Sequence, residues 1–312
     1  MDIRYYRYPE KLNIKRSAVA LGYFDGVHVG HRELISLLVR EARAKGLASY
    51  VVTFEDNLSK TKKTQSVIYN TKDKLRLFAS LGIDGVIVVD FSSVSELSAE
   101  SFVGEVLVDA FDAEIAISGY NFRFGHRASA DSQKLSELME VHGRSAVVLS
   151  EQKIGDRSLS STAIRELIGQ RRLDEATSML GLPYFIEGTV EKGLGLGSAF
   201  GFPTVNTPVR ENSPLPPGVY RTAVEIGENL YTGVTNIGSC PTVKEREVHA
   251  ETLIADFTGD LYGQSVRIYF LGYLREEKLF DSIDELREQI YKDRNRSIEE
   301  NGDLTWLATG LN

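Results

Sequence analysis

Residues 22–31 read GYFDGVHVGH and lie between a short apolar run, Ala18–Leu21, and a segment of helical periodicity, Arg32–Ala44. A loop that leaves a buried strand and enters a helix is where open α/β sheets bind ligands. Glycines allow the backbone to approach a ligand closely, and a helix N-terminus favours phosphate. The segment therefore predicts a phosphate-binding loop that uses Gly22, Gly26 and Gly30.

Two of the five histidines, His28 and His31, stand three residues apart in this loop. Imidazole N–H groups there are suited to donate hydrogen bonds to phosphate oxygens as charge shifts during a transfer reaction. A His-x-x-His pair can also be surface decoration, or part of a zinc site. Zinc needs a third nearby ligand, and the sequence marks none. The surrounding strand, glycines and helix favour the catalytic interpretation.

The two halves of the chain have different patterns. Up to about Leu180, short apolar runs alternate with segments of helical periodicity, which predicts a parallel sheet with helices on both faces. After Pro183 the pattern is one of strands with a single helix at the end, which predicts an antiparallel barrel or sandwich. Residues 256–263 are rich in turn formers and predict a hairpin. We place the domain boundary at Pro183, giving domains of residues 1–182 and 183–312.

Composition restricts the possible partners. The chain has 312 residues, with 36 Lys and Arg against 44 Asp and Glu, a net charge of −8. This balance argues against a nucleic-acid or membrane partner, and no apolar run is long enough to span a bilayer. One cysteine excludes an internal disulfide. No secretory signal is visible at the start, so we expect a cytoplasmic protein. The oligomeric state is not predictable.

The second half contains a glycine cluster whose spacing does not fit a dinucleotide fold. Gly193, Gly197 and Gly201 run into Phe202 and Pro203 instead of opening a helix. On composition alone this cluster is a flexible hairpin. The next residues carry oxygen ligands two apart, Thr204 and Asn206. In an extended segment both side chains share one face, and Mg²⁺ prefers such hard oxygens.

Three N-terminal motifs resemble those of bacterial FAD synthetases, which are HxGH nucleotidyltransferases. They are GYFDGVHVGH (residues 22–31), GYNFRFG (119–125) and LSSTAIR (159–165). The resemblance implies a Rossmann-like domain that binds ATP and transfers AMP to FMN, with His28 and His31 as catalytic residues. It places Gly22, Phe24, Asp25, Gly26, Gly30, Asn121, Ser161, Thr162 and Arg165 at the nucleotide.

The second half resembles riboflavin kinases through GFPTVN (residues 201–206), where that family has GFPTAN, and through segments following it. The resemblance implies an antiparallel β-barrel with a C-terminal helix that phosphorylates riboflavin. It implies Glu251 as general base, Thr204 and Asn206 as Mg²⁺ ligands, and Arg275 at the substrate. It places Gly193, Gly197, Gly201, Pro203, Thr204 and Asn206 at the nucleotide.

Together the motifs predict a bifunctional enzyme that converts riboflavin to FMN and FMN to FAD. Ala163 and Ser198 stand where the families often carry Arg, and the segment after Phe54 departs from the usual proline- and histidine-bearing pattern. These departures keep open the alternative that only one activity is live. A non-catalytic flavin- or nucleotide-binding regulator is a second alternative, and a tRNA-charging relative a third. The general base Glu251 argues against a regulator, because binding alone needs no base.

Overall fold

The computed structural model describes residues 1–55, 66–155, 157–192, 204–239 and 248–309. The backbone divides into two compact units, with the division after Ser161 and with residues 66–68 grouped in the second unit. Two helices, Ser161–Gly169 and Leu173–Leu180, therefore group mainly with the second unit, ahead of Pro183. The domain boundary at Pro183 stays a prediction.

The first unit is built on a parallel sheet of six strands. The first unit has these strands in chain order: β1 (Asp2–Tyr6), β2 (Ser17–Leu21), β3 (Ala48–Phe54), β4 (Gly85–Val89), β5 (Ala113–Gly119), β6 (Arg123–Phe124), β7 (Ala130–Asp131), β8 (Ser145–Leu149), β9 (Lys153–Ile154) and β10 (Arg157–Ser158). The six-stranded sheet has the order β1-β4-β3-β2-β5-β8, and all its neighbouring pairs are parallel. The short strands β6 with β7 and β9 with β10 form two small antiparallel ladders.

The strand order creates a crevice beside β2. From β2 the chain builds β3 and β4 on one side and then returns to add β5 on the other side. Ligands bind beyond the carboxyl ends of the strands at such a switch point. Strands β2 and β4 are buried along their whole length, as their continuous apolar sequence predicts. The carboxyl ends of β2 and β5 lead directly into the GYFDGVHVGH and GYNFRFG segments.

Helices lie between the strands where periodicity predicts them. They are α1 (Val29–Lys45), α2 (Thr71–Ala79), α3 (Phe91–Val94), α4 (Ala99–Ser101) and α5 (Ser132–Val141), with a π-helix over Phe102–Ala110 and a 3₁₀ helix over His126–Ala128. Residues 99–111 carry apolar residues at helical spacing, which predicts a helix, and that helix is mostly π-helical. Helix α1 buries Leu34, Ile35 and Leu38 and ends at Gly46, whose φ of 61° needs glycine.

Two expectations for this sheet are wrong. Strand β1 was not predicted, and it extends the sheet by pairing with β4; its exposed, charged start hides the strand pattern. The short apolar run Ala146–Leu149 predicts a buried strand, but the residues of β8 are partly or well exposed because β8 lies at the sheet edge.

The second unit contains the helices α6 (Ser161–Gly169) and α7 (Leu173–Leu180) and an antiparallel sheet of six strands. Its strands are β11 (Phe185–Thr189), β12 (Thr204–Pro208), β13 (Gly218–Ile226), β14 (Asn229–Ser239), β15 (Val248–Ile254) and β16 (Ser265–Arg275). The sheet order is β11-β16-β13-β14-β15-β12. Beyond the end of β11, the backbone amide of Glu191 donates a 2.8 Å hydrogen bond to the carbonyl of Asn206 on β12. This bridge connects the two edges of the sheet and nearly closes it into a barrel. The predicted antiparallel barrel is confirmed.

One predicted hairpin is wrong. Residues 256–263 connect β15 to β16, but these strands are not neighbours, because β13 and β14 lie between them. The tight hairpin instead joins β13 to β14, where Ile226 pairs with Asn229 around a two-residue turn. Gly227 in that turn has a φ of 61°, which favours glycine.

A long C-terminal helix, α8 (Ile283–Asn301), packs on the barrel, and a short helix, α9 (Thr305–Thr309), follows it. Ser282 followed three residues later by Glu285 is a capping-box pattern, which predicts the helix start. The Ser282 hydroxyl accepts a hydrogen bond from the Glu285 amide at 3.2 Å, which confirms it. The Ser297 hydroxyl donates to the Gly233 carbonyl at 2.7 Å, which fixes α8 on β14. Inside the barrel, three buried threonine hydroxyls form a line across three strands. The hydroxyl of Thr235 lies 3.0 Å from that of Thr222 and 2.9 Å from that of Thr252.

Candidate active sites

The first site is the loop between β2 and α1, and its backbone is unusual. Phe24, Gly26 and Val27 have φ values of 55°, 84° and 41°, a left-handed conformation that β-branched residues such as Val27 rarely adopt. The Phe24 ring is buried and lies against Gly22, where a Cβ atom would approach it to 3.0 Å. Backbone strain of this kind is concentrated at functional sites.

His28 and His31 lie face to face at the start of α1. Their rings are stacked, with centroids 3.5 Å apart and planes inclined by 15°. The Nδ1 atom of His28 accepts a hydrogen bond from the His31 backbone amide at 3.3 Å, so His28 is the N-cap of the helix. This hydrogen bond needs a lone pair on Nδ1, which assigns the proton of a neutral His28 to Nε2.

Both imidazoles are held in the neutral form. Burial lowers the pKa of His28 to about 4. Burial also holds the pKa of His31 well below its usual range, with further contributions from His28 and from the positive charge of Lys74. The Nδ1 atom of His31 is buried and has no hydrogen-bond partner among the described residues. The pair therefore offers neutral N–H donors and an unused ring nitrogen to a ligand.

A cleft beside the histidines is lined by residues from both sides of the switch point. Of the predicted nucleotide contacts it contains Gly30, Asn121 and Ser161 together with both histidines. Four more lining residues, Gly119, Tyr120, Leu159 and Ser160, belong to the quoted motifs but were not predicted individually. The lining residues that the sequence did not reveal are Leu34, Leu149, Ser150 and Gln152. A close approach favours glycine at position 30, because a Cβ atom there would lie 2.8 Å from Cδ2 of Leu159, whose side chain would have to shift.

Four other predicted contacts, Gly22, Phe24, Asp25 and Gly26, are not among the lining residues and instead shape the loop. The backbone carbonyl of Asp25 accepts a hydrogen bond from the Ser161 hydroxyl at 2.9 Å, and its carboxylate accepts one from the Tyr69 amide at 3.3 Å. Thr162 and Arg165 belong to the second compact unit, where Arg165 donates to the Thr162 hydroxyl at 3.1 Å. Their roles at a nucleotide stay predictions.

Lys74 is a buried cation near the histidines that the sequence did not reveal. Its Nζ atom donates to the carbonyls of Tyr23 and Phe54, at 3.3 and 3.4 Å, and lies 4.2 Å from the centre of the Tyr23 ring. Lysine is almost never fully buried unless it is paired, and the sequence does not show which groups would pair with it. The burial of Lys74 could therefore not be predicted from the sequence.

The second site lies on the barrel, where two neighbouring strands, β12 and β15, bring polar side chains together. Asn206 on β12 is directly opposite Glu251 on β15, and Thr204 lies two residues before Asn206 on the same face. The Thr204 hydroxyl donates a hydrogen bond to Oε1 of Glu251 at 2.8 Å. Three of the predicted kinase residues are thus adjacent. The predicted contacts Gly193, Gly197, Gly201 and Pro203 lie outside the described residues.

Arg275 is the remaining predicted residue, and a carboxylate holds it in place. Its guanidinium makes two contacts with Asp293 of α8, at 2.9 and 2.8 Å, and Asp293 is buried. A third guanidinium nitrogen donates to the carbonyl of Glu276 at 2.9 Å. This arrangement anchors α8 to the end of β16; a contact of Arg275 with substrate stays a prediction.

Comparison with known proteins decides the family. Residues 10–163 match the family model of FAD synthetase, and residues 180–299 match that of riboflavin kinase. A bifunctional riboflavin kinase/FMN adenylyltransferase of Bacillus subtilis is 33% identical over 294 residues, covering 91% of this chain and 92% of that protein. The chain belongs to this bifunctional family. The member from Escherichia coli K12 is 35% identical over 282 residues, which cover 88% of this chain and 90% of that protein.

A solved structure also resembles this member of the riboflavin kinase/FMN adenylyltransferase family over nearly its whole length. It is described as a macrolide-efflux protein from Streptococcus pneumoniae, with a TM-score of 0.84, 28% identity and coverage of 96% of this chain and 99% of that one. Within the residues that the structure describes here, no helix has the length and apolar character to cross a membrane.

The donor set of the barrel site suits a magnesium ion. The Thr204 hydroxyl donates its hydrogen bond to Glu251, which leaves its oxygen lone pairs free, and Asn206 brings a side-chain amide to the same face. Mg²⁺ takes few protein oxygens and completes its shell with water and phosphate. Across the described residues, no group of three or more His, Cys, Asp or Glu is arranged to hold a metal.

Proposed function

We propose that this chain is a bifunctional enzyme that phosphorylates riboflavin to FMN and adenylylates FMN to FAD. The observation that carries this proposal is the tandem match to both enzyme families, in relatives that span about nine-tenths of the chain. Each predicted site has its own support in the geometry: the stacked pair His28 and His31 in one unit, and the hydrogen-bonded pair Thr204 and Glu251 in the other.

In the first unit, a phosphate oxygen of FMN attacks the α-phosphorus of ATP. The bond between that phosphorus and the oxygen bridging to the β-phosphate breaks, and pyrophosphate leaves. The attacking phosphate is already an anion, so the site needs positioning and charge stabilisation and no base. The neutral imidazoles supply N–H donors, with Nε2–H of His28 assigned by its capping bond. Asn121 and Ser161 line the same cleft.

In the barrel, the 5′-hydroxyl of riboflavin attacks the γ-phosphorus of ATP. The bond from that phosphorus to the β,γ-bridging oxygen breaks, and ADP leaves. The Glu251 carboxylate accepts the hydroxyl proton, and the Thr204 hydrogen bond fixes the carboxylate for that role. Mg²⁺ held by Thr204 and Asn206 would neutralise phosphate charge.

The test supplies riboflavin, ATP and Mg²⁺ and separates the products by chromatography. Both FMN and FAD are expected. The double variant His28→Ala/His31→Ala should lose FAD formation and keep FMN formation, whereas Glu251→Gln should lose FMN formation and still make FAD from supplied FMN. His142→Ala, an exposed histidine in the first unit, is the matched control and should change neither activity.

Each alternative gives a different result. FMN without FAD from the wild-type protein would show that only the kinase is live, and the reverse pattern, with FMN supplied, would show that only the transferase is. Binding of flavin or nucleotide without any product would make the chain a regulator. Loss of both activities in either folded variant would refute the division of chemistry between two sites.

We infer a cytoplasmic enzyme with small-molecule partners only. The proposed substrates are ATP, riboflavin and FMN, and the net charge of −8 gives no support for binding nucleic acid or an anionic membrane. Cell fractionation tests the location, and a fraction that sediments with membranes would contradict it.

A further inference from the structure

The face of the barrel that carries Glu251 continues onto a third strand. Asn206 on β12, Glu251 on β15 and Asn236 on β14 form one cross-strand row, each directly opposite the next. Side chains directly opposite each other on adjacent strands have Cβ atoms about 4.5–5.5 Å apart. All three are partly exposed, while the neighbouring Thr235 and Thr252 point to the other face and are buried. Asn236 therefore stands beside the proposed general base.

The side-chain amide of Asn236 is only half satisfied. Its Nδ2 atom donates a hydrogen bond to Oε1 of Glu277 at 2.9 Å. Its Oδ1 atom is buried and has no hydrogen-bond partner in the part of the chain that the structure describes. A desolvated carbonyl oxygen without a donor is unfavourable and is uncommon in native proteins. A ligand that brings a hydroxyl or N–H group would satisfy it.

Glu277 determines which way that amide points. An Asn side chain can place its oxygen and nitrogen in either of two orientations, and a carboxylate accepts only from the nitrogen. The Glu277 carboxylate reaches Asn236 because residue 238 is a glycine; a Cβ atom at Gly238 would overlap the carboxylate. The amide oxygen is thereby left for another partner.

We propose that Asn236 binds riboflavin, with Oδ1 accepting a hydrogen bond from a secondary hydroxyl of the ribityl chain, and that Glu277 is a positioning residue that orients the amide. This inference rests on the proposed kinase function. The reacting 5′-hydroxyl must lie at Glu251, and the secondary hydroxyls on the next carbons are within one strand spacing of it. A polyhydroxyl chain supplies the donor that the buried oxygen lacks.

The experiment measures FMN formation with riboflavin and ATP varied separately. Asn236→Ala should raise the KM for riboflavin about tenfold, the usual effect of losing one substrate hydrogen bond, and change the KM for ATP less than twofold. Glu277→Ala should raise the riboflavin KM less. It should add nothing in the Asn236→Ala background, because it acts through that amide. Thr232→Ala, four residues earlier on the same strand and face, is the matched control.

A second measurement separates binding from a structural effect. The substrate is a riboflavin analogue whose side chain keeps the primary hydroxyl and lacks the secondary ones. For the wild-type enzyme, loss of this contact should make kcat/KM for the analogue about tenfold lower than kcat/KM for riboflavin. In Asn236→Ala the ratio of the two kcat/KM values should be about tenfold closer to one. FAD formation from supplied FMN should be unchanged in every variant, because that reaction belongs to the first unit. The unchanged KM for ATP in FMN formation reports that the barrel itself is folded.

Three results would overturn the inference. They are an unchanged riboflavin KM in Asn236→Ala, retained discrimination against the analogue in that variant, and, for Glu277, effects that add in the double variant. Failure of the proposed function is distinguishable, because the wild-type protein would then make no FMN in the same assay.

Discussion

The buried, neutral His28 predicts a specific pH dependence of stability. Its pKa is about 4 in the folded protein and near 6.5 when the chain is unfolded. Between these values the unfolded state binds a proton that the folded state does not. The free energy of unfolding therefore falls as pH drops through 6.5, and the loss is complete below about 4. For this residue the loss between pH 7.5 and pH 5.0 is about 2 kcal/mol.

His28→Asn isolates this contribution. Asparagine does not titrate, and it is among the best N-cap residues, so it can replace the capping bond to the His31 amide. Hydrogen exchange of the buried strand β2, followed by mass spectrometry at pH 7.5, 6.0 and 5.0, reports the unfolding free energy of the first unit. The difference between wild type and variant should shift by about 2 kcal/mol across this range, in favour of the variant at low pH.

The control is His142→Asn, which removes an exposed histidine from the same unit. It should follow the wild-type dependence throughout. If wild type and His28→Asn lost stability in parallel between pH 7.5 and pH 5.0, His28 would not be held neutral by burial. The assignment of its proton to Nε2 would then lose its basis.

Three further predictions concern packing and capping. Arg267→Met should cost about 3–5 kcal/mol in urea unfolding followed by the single tryptophan, because it removes the buried cation that forms ion pairs with both Glu187 and Glu225. The exposed pair of Arg294 and Asp256 is the control, and Arg294→Met should cost at most about 1 kcal/mol. Gly30→Ala should lower FAD formation and leave FMN formation intact, because its Cβ atom meets Leu159 at 2.8 Å; equal rates of FAD formation would contradict that packing. Ser282→Ala should lower the stability of the barrel by about 1 kcal/mol in the tryptophan assay, and Ser282→Asp should restore it; no difference between the two would argue against a role for the cap.

The sequence was sufficient for the features that depend on local pattern. Continuous apolar runs predict β2 and β4 because both faces of a central parallel strand are buried. The loop from β2 to α1 is recognisable because glycines and histidines occur there in a fixed order. The strand order then explains why Asn121, far along the chain, lines the same cleft as the histidines.

What the sequence did not reveal depends on contacts between distant residues. Lys74 carries a charge, and its burial is made tolerable by partners distant in sequence, among them the carbonyls of Tyr23 and Phe54. Asn236 and Glu277 meet across 41 residues, through a glycine that leaves room for the carboxylate. The hairpin at residues 256–263 was misassigned because turn residues mark where a chain bends and do not specify which strands then pair.

The line of buried threonines also helps to fix the register in which β15 pairs with β14. Sliding this strand by one residue would turn Glu251 to the face where Thr252 now meets Thr235. The side chain would then move from a partly exposed position to a buried one beside these two hydroxyls, and burying a carboxylate costs several kcal/mol. The residue proposed to remove the substrate proton thus makes the wrong alignment of its own strand unstable. Variants that remove the charge, such as Glu251→Gln, should give a protein more tolerant of single-residue insertions in β15.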